Sequence, residues 1–76
     1  MAYMTRYDAM LSFFMHLCND LSIRWNKTLK DTALLFKKYG VFERVDYMFE
    51  TYNESGIENA YKDIEYYVTI QGGSYE

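Results

Sequence analysis

Proline is absent from the 76 residues, and histidine, cysteine and tryptophan occur once each, as His16, Cys18 and Trp25. Each shortage excludes something. One cysteine cannot form an intrachain disulfide, and a His-x-Cys pair offers too few ligands for a structural zinc site. His16 and Cys18 stand two apart, a spacing that points side chains away from each other on a helix, so they do not form a nucleophile–base pair. No glycine-rich phosphate loop and no metal constellation is present, so neither catalysis nor a cofactor is expected. No stretch approaches the roughly 20 apolar residues that span a bilayer. The apolar run from Ala9 to Leu17 is interrupted by His16 and lacks the small-residue cleavage site of a signal peptide. A cytoplasmic protein without membrane contact is the expectation.

Length sets the next bound. Seventy-six residues suit one domain, and a domain of this size buries only about 60% of the surface its unfolded chain exposes. Disulfides, a metal or a second copy usually reinforce such small cores. With the first two closed, dense packing, a homodimer or docking on a larger partner remains. Composition favours packing and docking: 50% of residues are apolar and 20% aromatic, with nine tyrosines and five phenylalanines. That is too much aromatic surface for a disordered chain, and too much to bury entirely.

With no proline, the four glycines carry the segmentation. Tyr7, Met10, Leu11, Phe14, Leu17, Cys18 and Leu21 recur at spacings of three and four, which predicts a first helix over 5–20 capped by Thr5, with Asp8 completing a short capping box. Residues 19–27 read as a connection. Thr28 or Asn26 caps a second helix over 28–39, whose stripe is Leu29, Ala33 and Phe36 and which ends at a left-handed Gly40. Phe42, Val45, Phe49 and Tyr52 give a third helix over 42–52. Ser55 and Glu58 form a second capping box for a fourth helix over 56–69, with Ile57, Ala60, Tyr61, Ile64, Tyr67 and Val68 inward. The reading is all-α: one domain over 1–76, a bundle of four short helices with frayed ends at about 1–4 and 71–76.

Charge is segregated. Residues 1–40 hold six Lys/Arg against three Asp/Glu, a net of +3; residues 41–76 hold two against eight, a net of −6; together they give the overall −3. Arg24, Lys27, Lys30, Lys37 and Lys38 beside Trp25 make a basic stretch. Helices flanking Gly40 could imitate a helix-turn-helix, but its second helix would bring Glu43, Asp46 and Glu50 against phosphates. Nucleic acid is therefore not the expected partner, and a transcriptional regulator is the weakest alternative. Tyr3, Phe13 and Met15 lie off the first stripe, and Tyr47, Tyr66 and Tyr67 at the edges of theirs. Such tyrosines either line the boundary of a small core or form a partner surface. The candidate partner-binding residues are Glu43, Asp46, Tyr47, Glu50, Tyr66 and Tyr67, with Glu54 and Glu65 nearby in sequence. A basic protein would be steered by the charges and anchored by the rings.

Three runs carry a resemblance: Phe36-Lys37-Lys38-Tyr39-Gly40-Val41, Phe49-Glu50-Thr51-Tyr52-Asn53 and Glu58-Asn59-Ala60-Tyr61-Lys62-Asp63-Ile64. They resemble a family of small helical bacterial proteins of unknown function, in which a helix ends in a Gly-Val or Gly-Ile turn, an aromatic-Glu pair precedes a histidine, and Asp-Ile closes the last helix. The resemblance covers roughly residues 10 to 68. Asn53 departs from it, standing where the family usually has histidine. Such proteins are often encoded beside a larger protein resembling an ADP-ribosyltransferase toxin. The resemblance thus implies a toxin–antitoxin or immunity pairing: a small non-catalytic interaction module that binds a toxin-like protein. The alternative is an acidic inhibitor that fills a nucleic-acid-binding groove on its target.

Overall fold

Two threonines open helices by the same chemistry. The Asp8 N–H donates to Thr5 Oγ1 at 3.1 Å and the Thr5 N–H to Asp8 Oδ2 at 3.4 Å, the expected capping box. The Asp31 N–H donates to Thr28 Oγ1 at 3.0 Å, so Thr28 and not Asn26 is the second cap. The computed structural model describes residues 5–75. Among them lie four helices, α1 (Arg6–Arg24), α2 (Leu29–Lys38), α3 (Val41–Ser55) and α4 (Ile57–Ile70), and no strand. Tyr3 and the rest of residues 1–4 fall outside the described residues, as does Glu76.

The first helix runs past its expected end at residue 20. Leu21 and Ser22 continue the buried side, while Ile23 and Arg24 face solvent. What stops α1 is Asn26, in the left-handed region at φ 54°. The Asn26 N–H donates to the Ile23 carbonyl at 3.1 Å and the Lys27 N–H to the Ser22 carbonyl at 2.8 Å, a Schellman closure without glycine. α4 ends the same way at Gly72.

The capping box expected from Ser55 and Glu58 does not form. α3 runs through Ser55, whose hydroxyl donates back to the Thr51 carbonyl at 2.8 Å. Gly56 alone makes the turn, at φ 97° and ψ 163°, and gives α4 no side-chain cap. A one-residue corner at positive φ is open to glycine and to few other residues, and it leaves Ser55 inside the preceding helix.

All four helices feed the core. Met10, Leu17 and Leu21 meet Phe36, Val41, Val45, Phe49 and Tyr52, with Ala60, Ile64 and Val68 closing it from α4. The α2 stripe differs from expectation. Leu29 and Ala33 are exposed, whereas Thr32 is fully buried beside Phe36. Thr32 Oγ1 donates to the Thr28 carbonyl at 2.9 Å, so its hydroxyl is satisfied within the helix and its methyl can face the core. Tyr7, placed on the first stripe by its spacing, is exposed in the first turn of α1. Phe13 turns inward instead, edge-on to Phe49 at 5.6 Å.

Trp25, expected in a polar connection, is buried and lies 5.9 Å from Phe36 and 5.2 Å from Tyr75, centroid to centroid. The segment after α4, expected to fray, lies back over the bundle. Gln71 Nε2 donates to the Tyr39 carbonyl at 3.0 Å. Gly73 sits so close to the Tyr39 ring that a methyl group there would collide with it. No helix among the described residues is long and apolar enough to cross a membrane.

Candidate protein interface

Three arginines decide how much of the charge asymmetry reaches the surface. Each forks onto a carboxylate from another helix and lies over an aromatic ring, the arrangement a planar guanidinium favours over an ammonium. Arg6, at the start of α1, contacts Asp46 at 2.8 Å and Glu50 at 3.0 Å on α3, above the Phe49 ring at 5.4 Å. Arg24, at the end of α1, contacts Glu65 at 2.8 Å and lies 5.5 Å from the Tyr61 ring. Arg44 bonds Asp63 through Nε at 3.0 Å and Nη2 at 2.9 Å, joining α3 to α4, with the Tyr67 ring 5.0 Å away.

These contacts perturb both partners. Hydrogen bonding from Arg6 holds the Glu50 carboxyl below the usual range. Burial works against the Asp63 charge, but the Arg44 and Tyr52 donors outweigh it and lower its pKa. Glu65 is lowered in the same way, against burial, by Arg24 and by the Trp25 indole N–H at 2.7 Å. The Tyr52 hydroxyl donates to Asp63, and that of Tyr61 to Asp20. Burial first and the carboxylate second raise both phenols, Tyr61 to about 12. Asp63 thus anchors α3 to α4 through three donors.

The six candidate residues divide accordingly. Asp46 and Glu50 are held by Arg6, and Tyr67 is half-buried beneath Arg44. Glu43, Tyr47 and Tyr66 remain open, with Tyr47 79% exposed and Tyr66 64%. Glu43 precedes Tyr47 by four positions and Glu50 follows it by three, so both adjoin it on the outer side of α3; Glu54 lies two turns on, and Arg44, three before, is bonded to Asp63. Among the described residues neither Glu43 nor Glu54 is in an ion pair. The structure therefore gathers a compact acidic patch around one exposed ring, and Tyr66 belongs to a different helix.

Three surface features escaped sequence reasoning. An open groove of about 620 Å³ between α1 and α3 has Phe13 and Phe49 in its floor and Met15, His16 and Asn53 along its sides. Asn53 and His16, the chain's one histidine, thus line the same groove. Its signal was the off-stripe pair Phe13 and Met15. A second hollow of about 260 Å³ lies over Phe14, Phe36 and Phe42, with Lys37 and Glu43 beside it. Leu34 is 55% exposed in the middle of a lysine cluster on α2, while Leu35, whose spacing widens the α2 stripe, turns inward. Cys18 is half-buried, and burial pushes its thiol pKa up, opposite to what a nucleophilic thiol needs.

Compared with known proteins, the chain matches no protein-family model, no curated protein and no solved structure.

Proposed function

We propose that the chain is a small, non-catalytic protein-interaction module whose partner surface is the outer face of α3, and that it serves as the antitoxin- or immunity-like partner of a larger, toxin-like protein. The observation that supports the surface is Tyr47, exposed at 79%, with Glu43 and Glu50 adjoining it and Glu54 two turns on. A rigid ring with a polar tip inside a charged rim is what interfaces use as an anchor. The toxin pairing follows from the family resemblance. Glu43 and Glu54 supply charge that no internal arginine takes up, which fits a partner whose complementary site is basic. The acidic groove-filling alternative asks for a wider negative field, and Arg6, Arg24 and Arg44 take up much of it.

The test has two arms. The chain is co-expressed in a bacterial host with a toxin-like protein of the class the resemblance implies, and growth is compared with that under the toxin alone. Protection is expected, with loss of protection on Tyr47→Ala in a chain that keeps its helical circular dichroism. Surface plasmon resonance on the purified pair should show faster dissociation for Tyr47→Ala and slower association for Glu43→Lys/Glu54→Lys. A folded Tyr47→Ala chain that protects fully would move the interface off α3.

A further inference from the structure

The lysines behave unlike the arginines. Among the described residues every Arg–carboxylate pair crosses between helices, whereas Lys27, Lys30, Lys37, Lys38 and Lys62 form no ion pair. Three of them surround one apolar side chain. Leu34 has Lys30 four positions before it, Lys37 three after and Lys38 four after, the positions that adjoin it on a helix surface. Asp31 is the one acid at such a position, on the side of the first turn. The buried side of α2, carrying Thr32 and Phe36, faces the core, so Leu34 and Lys30 lie on the outer side, with Lys37 at its edge beside the hollow that Glu43 also borders.

On α3 a related arrangement has the opposite sign: Tyr47 has Glu43 four before and Glu50 three after, with Glu54 two turns on, while Arg44, three before, is bonded to Asp63 and Glu50 is held by Arg6. Each face is a helix surface with one exposed side chain among charges mainly of one sign. Within a single chain the two do not cover each other, since Leu34 and Tyr47 both stay exposed although α2 and α3 are consecutive. We infer that the lysine face of α2 docks onto the acidic outer face of α3 on a second copy of the chain. The second copy is favoured over a foreign acidic partner because both halves of the complementary pair are present in this one molecule.

The contact is small. A ten-residue helix spans about 15 Å, well short of a standard interface of about 1,600 Å². Its charges are exposed and screened by salt. Association is therefore weak and salt-sensitive, with a Kd on the order of 0.1–1 mM. One contact joins two different faces, so it either closes as a reciprocal dimer or continues to larger species. Because α3 also carries the surface proposed for the foreign partner, that partner would displace the second copy. The self-association itself needs only the purified chain, and its failure leaves the partner proposal standing.

Sedimentation of the isolated chain tests the contact. In ~0.05 M salt the weight-average mass should rise above 9.1 kDa with concentration, and return to it in ~0.5 M salt. Lys30→Glu/Lys37→Glu and Glu43→Lys/Glu54→Lys should each be monomeric, because each then presents two faces of like sign. A 1:1 mixture of the two should associate again, since the acidic α2 of one meets the basic α3 of the other. Circular dichroism verifies that both fold, and Leu34→Asp gives a second route to the monomer should either fail. A wild-type chain that stays monomeric to ~1 mM in low salt overturns the inference, as does a folded charge-swapped mixture that does not associate. Binding of an acidic peptide or an anionic vesicle to a chain that stays monomeric would assign the α2 face to that ligand instead.

Discussion

Asp63 accepts from Arg44 Nε, Arg44 Nη2 and the Tyr52 hydroxyl, and so holds two helices together with one side chain. Removing it strands a guanidinium and a phenol that are both partly shielded from water. Leaving such donors unsatisfied costs about 1–3 kcal/mol, more than the pair itself contributes. Asp63→Ala is therefore expected to lower unfolding stability by about that amount, while Asp63→Asn, which keeps one acceptor, loses less. Urea titration of the two variants checks this, and equal loss in both would mean that the charge and not the hydrogen bonding carries the effect. Cys18 gives the contrasting case. Its spacing places it on the apolar stripe of α1, and it lies half-buried with its thiol pKa raised by burial. Cys18→Ala should leave partner protection intact, with a small shift in melting temperature from lost packing.

The helices were legible where one local signal set them. Thr5 and Thr28 cap through their own hydroxyls, and the α3 and α4 stripes are near-complete in sequence because Val45, Phe49, Tyr52, Ala60, Ile64 and Val68 are buried as their spacing requires. Legibility failed where two signals competed. Ser55 could cap α4 or extend α3, and Gly56 settled it by making the corner in one residue. Ser22 and Thr32 are polar by type but buried, because each hydroxyl donates to a carbonyl of its own helix; a count of apolar residues passes over both. On α2 the spacing places Leu35 and Phe36 inward, as they are, but it also favours Leu29 and Ala33, which packing leaves exposed in favour of Thr32. The same competition set the end of α1. Asn26 holds a left-handed backbone that costs a residue with an ordinary side chain about 1–2 kcal/mol. Asn26→Ala should accordingly destabilise by about 1 kcal/mol and Asn26→Gly by less, as thermal circular dichroism would show. A neutral alanine would mean that α1 is stopped by the docking of Trp25.

At the scale of the molecule, the segregated charge of the sequence is used chiefly as internal fastening. Arg6 and Arg24 at the two ends of α1 reach α3 and α4, and Arg44 ties α3 to α4, so acid–base groups bridge the helices around a core too small to hold them alone. That arrangement fixes how stability should depend on pH. Glu50, Asp63 and Glu65 have folded pKa values below their ordinary ones. Their contribution is complete above the unfolded carboxylate values near ~4 and is lost as pH falls through the lower folded values. Tyr52 and Tyr61 are shifted the other way, because each phenol is buried and donates its proton to a carboxylate. Their contribution is complete below the unfolded tyrosine value of ~10 and is lost as pH rises toward the folded values, about 12 for Tyr61. Stability should therefore form a plateau between pH ~5 and ~9 and fall on both sides. Trp25, buried against Phe36 and donating to Glu65, reports the transition through its fluorescence. Tyr61→Phe separates the alkaline limb from general loss of charge balance: it should lower stability at neutral pH, yet decline less than the parent between pH ~10 and ~12. If parent and variant fall in parallel over that range, the Tyr61–Asp20 bond does not set the alkaline limit, and Tyr52 with Asp63 carries it instead.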